Sequence, residues 1–282
     1  MRVLVTGAGG QLGHDVTGCL KIRGDTAIAP SHEEMDITDR SAVDACFARG
    51  HPDAVIHCAA WTAVDLAETH EAECRNVNVN GTMNLTEACR SAGIPILYVS
   101  TDYVFDGTLG RPITVDDPTC PVNVYGFSKR DGETVVRTYH RHYIVRTSWV
   151  FGSSGRNFVK TMLSLAQKTD TVKVVDDQIG SPTYTADLAP LLCRIIGSGK
   201  YGTYHAHNAG YCSWCGFARG IFSAAGVRTQ AVPISTREYP TAARRPPDSR
   251  LDTSSLTEAG FGQLPEWQDA VARYVRSNPY IE

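Results

Sequence analysis

Arg2-Val3-Leu4-Val5-Thr6-Gly7-Ala8-Gly9-Gly10-Gln11-Leu12-Gly13 is the segment from which the architecture can be worked out. Val3, Leu4 and Val5 form a short apolar run of β character. It breaks at Gly7 and gives way to a helical pattern from Gln11. Glycines at 7, 10 and 13 allow a tight turn, a close backbone approach and contact between helix and strand. A helix starting there presents unpaired N–H groups and the positive end of its dipole to a diphosphate. In this strand–turn–helix context the glycine spacing predicts a dinucleotide site, with Gly7 and Gly10 against the ligand.

The alternation continues along the first half. Strands are expected over 2–6, 26–29, 54–58, 94–100 and 143–147, and helices over 11–23, 41–49, 72–91 and 123–140. Strands that are apolar throughout and separated by helices predict a doubly wound parallel sheet of the α/β, Rossmann-like class. Beyond Trp149 the rhythm loosens. Helices are expected over 157–168, 186–196, 214–225 and 266–276, strands over 172–175 and 201–207, and a Pro- and Arg-bearing loop over 239–249. The expected division is a dinucleotide-binding domain of residues 1–151 and 183–208, with a second, smaller α/β substrate-binding lobe of 152–182 and 209–282.

Composition narrows the function class. The 282 residues carry 27 basic and 30 acidic side chains, a net charge of −3, so no nucleic-acid partner is expected. The apolar run over 188–196 contains Arg194 and is far shorter than the ~20 residues of a membrane span. No secretory signal is evident ahead of the first strand. Nine cysteines read best as reduced thiols, so a cytoplasmic location is expected.

The second strand ends in Ala29-Pro30-Ser31-His32, with no carboxylate to hold a ribose 2′-hydroxyl and no Arg. Ser31 and His32 could accept a phosphate there. NADPH is therefore favoured over NADH, with either usable. Asp36 and Ile37 follow and could meet the adenine, or Asp36 could cap a helix with Thr38 and Asp39.

Tyr125 and Lys129 are four apart in a helical stretch and share a face. A free phenol is too weak an acid for neutral pH, and an ammonium one turn away is expected to lower its pKa toward the working range. Thr101, at the end of the fourth strand, lies at the sheet edge where a ligand should sit and could polarise a carbonyl.

These features together resemble the extended short-chain dehydrogenase/reductase superfamily. More narrowly they resemble its dTDP-4-dehydrorhamnose reductase family. The resemblance runs over GAGGQLG (7–13), AAWTAVDLAE (59–68), STDYVFDG (100–107), VYGFSK (124–129), RTSWVFG (146–152) and DDQIGSPTY (176–184). Arg245-Pro246 with Ser249-Arg250-Leu251 completes it. It implies reduction of the 4-keto group of a dTDP-sugar, dTDP-4-dehydro-L-rhamnose, by hydride from NADPH or NADH. In that picture Thr101 bonds the keto oxygen, Tyr125 gives the proton, and Lys129 tunes Tyr125 and holds the ribose. Gly10, Gln11 and Leu12 line the pyrophosphate, Asp36 and Ile37 the adenine, and Ala59, Ala60 and Thr62 the nicotinamide side. Asp102, Tyr103 and Trp149 touch the sugar, and Arg245 the nucleotide of the substrate. Asn78 matches an Asn that supports the Lys through water, or it orders a helix.

Some members of the family hold magnesium between subunits through acidic side chains. Asp15 matches one such position, but Asp187 falls one residue out of step and a full set is not evident. No metal is therefore expected, and a homodimer is left open. Two rivals stay open as well: a nucleotide-sugar epimerase or a reductase of another 4-keto sugar, and a non-catalytic regulatory subunit of the same fold. Cys212-x-x-Cys215 is a single pair, read as a structural turn with Ser213 as a helix cap. His205 and His207 read as surface or packing residues. Trp61 and Trp149 are divided between core filling and ligand contact.

Overall fold

Successive side chains of a strand point to opposite faces, and the first strand uses both. Val3 and Val5 of β1 (Arg2–Thr6) pack with Leu12, Val16 and Leu20, while Leu4 packs with Val43, Val55 and Leu85 on the other face. Each such side chain, fully buried, contributes roughly 1.5–3 kcal/mol. The computed structural model describes residues 1–278.

β2 (Thr26–Ile28), β3 (Ala54–His57), β4 (Ile96–Thr101), β5 (His142–Thr147) and β6 (Gly202–His205) complete the sheet in the order β2-β1-β3-β4-β5-β6. All neighbours are parallel. This is the doubly wound α/β sheet that the sequence predicts, with strand ends shifted by one or two residues. The order reverses between β1 and β3, and a crevice opens there beyond the carboxyl ends of the strands.

α1 (Gln11–Ile22) and α8 (Thr185–Ile195) pack together over one face. α2 (Arg40–Gly50), α5 (Thr82–Ala92) and α6 (Val124–Arg137) cover the other. A second core forms where α7 (Phe158–Ala166), α9 (Trp214–Ala225) and α11 (Trp267–Ser277) enclose the paired strands Thr171–Val175 and Gln230–Ile234. Leu256 of α10 (Ser254–Glu258) joins the sheet's core, and Tyr184 joins the second one.

One expected helix is not continuous. The stretch 72–91 is split into α4 (Glu71–Arg75), a π-helical turn Asn76–Gly81, and α5. Before it, α3 (Val64–Ala67) adds a short helix that the sequence reading lacks. The wide turn lets Gly81 lie against Ile37, whose Cδ1 would be 2.7 Å from a Cβ at that position. It also aims Asn78 at the backbone of Trp61. π turns of this kind gather at functional sites.

Candidate active site

Gly7 has a φ of 66°, and a Cβ on it would sit 2.7 Å from the Ala59 nitrogen. A Cβ on Gly13 would run into the Gly7 carbonyl. Only glycine permits this crossing of β1, α1 and the loop after β3. α1 starts after Gly10 with neither a side-chain cap nor an acidic residue in its first turn, so its N–H groups are left for a ligand. The glycine turn forms one wall of a cleft of about 960 Å³, at the upper end of what small-molecule sites occupy. A free helix start, glycines that a Cβ would crowd, and a buried Lys129 fit a dinucleotide.

Fifteen of the expected site residues line this one cleft: Gly7, Gly10, Gln11, Leu12, Asp36, Ile37, Ala59, Ala60, Thr62, Thr101, Asp102, Tyr103, Tyr125, Lys129 and Trp149. Asn78 and Arg245 do not line it. Asn78 is buried; its Oδ1 accepts from Trp61 N–H at 2.8 Å, and its Nδ2 donates to Ser128 Oγ at 2.8 Å and to Trp61 O at 3.2 Å. It thus fastens the 59–62 loop to α6 and makes no bond to Lys129. Arg245 donates to Asp65 Oδ2 at 2.7 Å and its charge lies near the Tyr103 phenol, while its buried Nη1 has no partner.

At the end of β2, Ser31 and His32 line the cleft, while Glu34, which does not line it, closes a local turn. Glu34 accepts the Ser31 N–H at 2.8 Å, and Ser31 Oγ accepts from Glu34 N–H at 3.3 Å. Asp36 accepts from Thr38 N–H and Oγ1 at 2.8 and 2.9 Å, and the cap of α2 is Asp39.

Asn123 caps α6, accepting from Gly126 N–H at 2.7 Å, and Glu68 accepts from Val124 N–H at 2.9 Å. These two side chains start the helix so that Tyr125 and Lys129 reach the cleft one turn apart. Gly126 is needed because a Cβ there would strike the Tyr103 carbonyl. The Thr101 hydroxyl lies beside the Tyr125 phenol and favours its charged form. Thr101 Oγ1 donates to Asp102 Oδ1 at 3.0 Å and accepts from Tyr103 N–H at 3.2 Å. Lys129 Nζ donates to Val99 O at 2.8 Å and stands 4.0 Å over the Tyr98 ring.

The expected lowering of Tyr125 is reversed. Burial pushes its phenol above the ordinary tyrosine range, because the charged phenolate is the form that dry surroundings penalise. Burial likewise brings Lys129 down to about 7, with the Glu133 carboxylate pulling the other way. Asp102 is raised by burial to about 6, with the neighbouring Ser249 hydroxyl and the bond from Thr101 pulling the other way, and its Oδ2 is buried without a partner. His57, between Thr6 and Thr82, is held neutral by burial and by the Lys129 charge. The site can keep a proton on Tyr125 until an oxyanion beside it demands one.

Trp149 has a φ of 46°, in the left-handed region that a bulky residue seldom enters. Its indole stacks on Trp214, with centroids 3.6 Å apart and planes 11° apart, and Gly180 leaves the room it needs. One face of the expected sugar platform is therefore taken by a second indole. Trp214 and Arg156 line the cleft as well and are absent from the sequence reading. The signal for Trp214 was its place just after Ser213, which caps α9 by accepting from Gly216 N–H at 2.9 Å. All nine cysteines are free, Cys212 and Cys215 included.

His205 and His207 are buried packing residues rather than surface ones. Asp15 accepts from Thr185 Oγ1, and Asp187 is gripped by Arg273 at 2.8 and 2.7 Å and by Asn208 at 2.7 Å. Among the described residues no group of three or more His, Cys, Asp or Glu side chains is placed to hold a metal ion. No helix among them is long and apolar enough to cross a membrane.

A family model described as the RmlD substrate binding domain matches residues 1–279. The chain is 43% identical over 278 residues to a dTDP-4-dehydrorhamnose reductase of Streptomyces griseus, covering 96% of this chain and 91% of that one. It is 37% identical to a dTDP-4-keto-6-deoxy-D-glucose reductase of Streptomyces niveus, with 96% of each covered. The crystal structure of the Bacillus anthracis dTDP-4-dehydrorhamnose reductase in complex with NADP superposes with a TM-score of 0.95 at 39% identity, covering 98% of this chain and 99% of that one.

Proposed function

The chain belongs to the family of the RmlD substrate binding domain, and from that premise we propose that it reduces the 4-keto group of dTDP-4-dehydro-L-rhamnose to give dTDP-L-rhamnose. It is an oxidoreductase using NADPH or NADH. The observation that carries the reading is the convergence of Thr101, Tyr125 and Lys129 on one cleft with an uncapped helix start and its glycine turn.

When bound, the reduced nicotinamide supplies the hydride that C4 of the sugar accepts. Thr101 orients the keto oxygen toward Tyr125. Tyr125 gives that oxygen its proton as charge builds on it, and Thr101 and the Lys129 ammonium steady the phenolate left behind. Lys129 also holds the cofactor ribose, and the start of α1 takes the diphosphate. Asp102, Tyr103 and the Trp149–Trp214 pair bound the sugar pocket. Arg245, drawn onto Tyr103 and Asp65, braces that wall and has one guanidinium nitrogen to spare for the substrate's nucleotide. All these residues belong to one chain, so the reading does not depend on a homodimer. Nine free thiols suit a reducing cytoplasm.

The test is turnover with a panel of dTDP-4-keto sugars and both nicotinamides. We expect loss of reduced-nicotinamide absorbance with dTDP-4-dehydro-L-rhamnose. Folded protein that consumes cofactor with none of the panel removes the reading. Faster turnover of dTDP-4-keto-6-deoxy-D-glucose would move the substrate to that of the Streptomyces niveus relative.

A further inference from the structure

Below the reacting groups lies a row of buried polar side chains that the chemistry does not use. Ser100, Arg146 and His205 stand in register on β4, β5 and β6. Glu133 reaches them from α6, four residues after Lys129 and eight after Tyr125, so the three share a helix face. Arg146 grips both carboxylate oxygens of Glu133, through Nε at 2.8 Å and Nη2 at 2.7 Å. Ser100 Oγ adds a bond of 2.6 Å. His205 donates from Nδ1 to Ile113 O at 3.0 Å, which leaves Nε2 to accept from Arg146 Nη1 at 3.2 Å. The guanidinium also lies 4.9 Å over the Phe105 ring. Arg146 is 2% exposed and Glu133 2%.

Such a pair is a poor way to gain stability. Taking each ion out of water costs several kcal/mol, and apolar residues of similar volume often do as well or better. Its position suggests another role. Lys129 is buried, yet no carboxylate touches it; its contacts are the Val99 carbonyl and the Tyr98 ring. The groups around it are His57 at the end of β3, Cys58 just after it, Cys74 of α4, Tyr98 of β4, and Tyr125 and Glu133 of its own helix. His57 is held neutral by burial, and the two thiols are raised by it. Glu133, held ionised by Arg146 and Ser100, is the one carboxylate in that set.

We propose that Glu133, clamped by Arg146, is a positioning residue of this active site: it locks α6 to β4 and β5 so that Tyr125 meets Thr101, and it supplies the negative charge on which the buried Lys129 ammonium leans. Thr101 is the next residue after Ser100, so one clamp sets both sides of the Tyr125–Thr101 contact. The proposal rests on the roles given above to Tyr125 and Lys129.

Removing Glu133 alone strands the Arg146 cation and risks unfolding. The test therefore uses the paired variant Glu133→Gln with Arg146→Met, which buries no charge, beside wild type. With only six lysines in the chain, ε-13C-labelled lysine resolves Lys129 by NMR. Its titration is read on the free protein, and the pH profile of kcat/KM is read beside it. We expect the Lys129 titration to fall by roughly 0.5–1 pH unit. The alkaline limb of kcat/KM should fall with it, while the melting temperature holds or rises. A folded variant whose Lys129 titrates where wild type does overturns the proposal, and lost activity with that unmoved titration would assign Glu133 to packing alone. The titration needs no turnover, so a failure of the reductase reading leaves this result standing or falling by itself.

Discussion

Tyr125 and Glu133 stand two turns apart on α6 in opposite surroundings. Around Glu133 both oxygens are bonded, by Ser100 and Arg146, and every member of the row has its partner. Around Tyr125 the polar groups are left short: Asp102 Oδ2 and Arg245 Nη1 are buried with no partner, and the first turn of α1 has no cap. The contrast teaches where this fold spends its hydrogen bonds. The end that must not move is satisfied, and the end that must bind holds groups whose bonds a ligand would complete.

The sharpest way to break the contrast is at the open end. Tyr125→Phe should cut kcat/KM by ~10²–10⁴, the range for a lost general acid. The dissociation constant for NADPH, measured by fluorescence, should stay where it was. At the closed end the loss should be of stability. Glu133→Ala leaves a buried cation unpaired and should cost about 3–5 kcal/mol in urea unfolding. An equal stability loss at both ends would erase the distinction.

Smaller changes sharpen it. Gly132 lies where α6 crosses the π turn, and a Cβ there would strike Tyr98 Oη and approach Asn78 O to 2.7 Å. Gly132→Ala should cost about 1–3 kcal/mol, as overpacking does, with kcat falling as α6 is pushed off β4. Lys129 carries the opposite sign. Its folded-state value of about 7 lies below its ordinary 10.5. Between those values the unfolded chain binds more protons, so stability should rise with pH through that window. Lys129→Met should flatten the rise and lift the melting temperature near pH 7 by about 2–4 °C, the response to roughly 1 kcal/mol in a chain of this size, while abolishing turnover. A melting temperature that falls instead would show the ammonium to be stabilising where it lies.

Much of this was legible in the sequence because it is local. The turn from β1 into α1 needs only neighbouring residues, and the Tyr125–Lys129 spacing needs only helical geometry. The π turn was hidden because the apolar pattern of 72–91 runs on through it; its causes, Ile37 and Trp61, lie far away in sequence. Burial reversed the reading of Tyr125: spacing brings the ammonium near but says nothing of how dry the site is. The left-handed backbone of Trp149 needs Gly180 and Trp214, both contributed after the first five strands are complete.

The most direct measurement follows the hydrogen itself. NADPH carrying deuterium at both C4 positions of its nicotinamide is incubated with the chain and dTDP-4-dehydro-L-rhamnose, and the sugar product is analysed by mass spectrometry and NMR. The account predicts one deuterium on C4 of dTDP-L-rhamnose for each NADPH consumed. A product without deuterium at C4, or a sugar altered with no NADPH consumed, would contradict it.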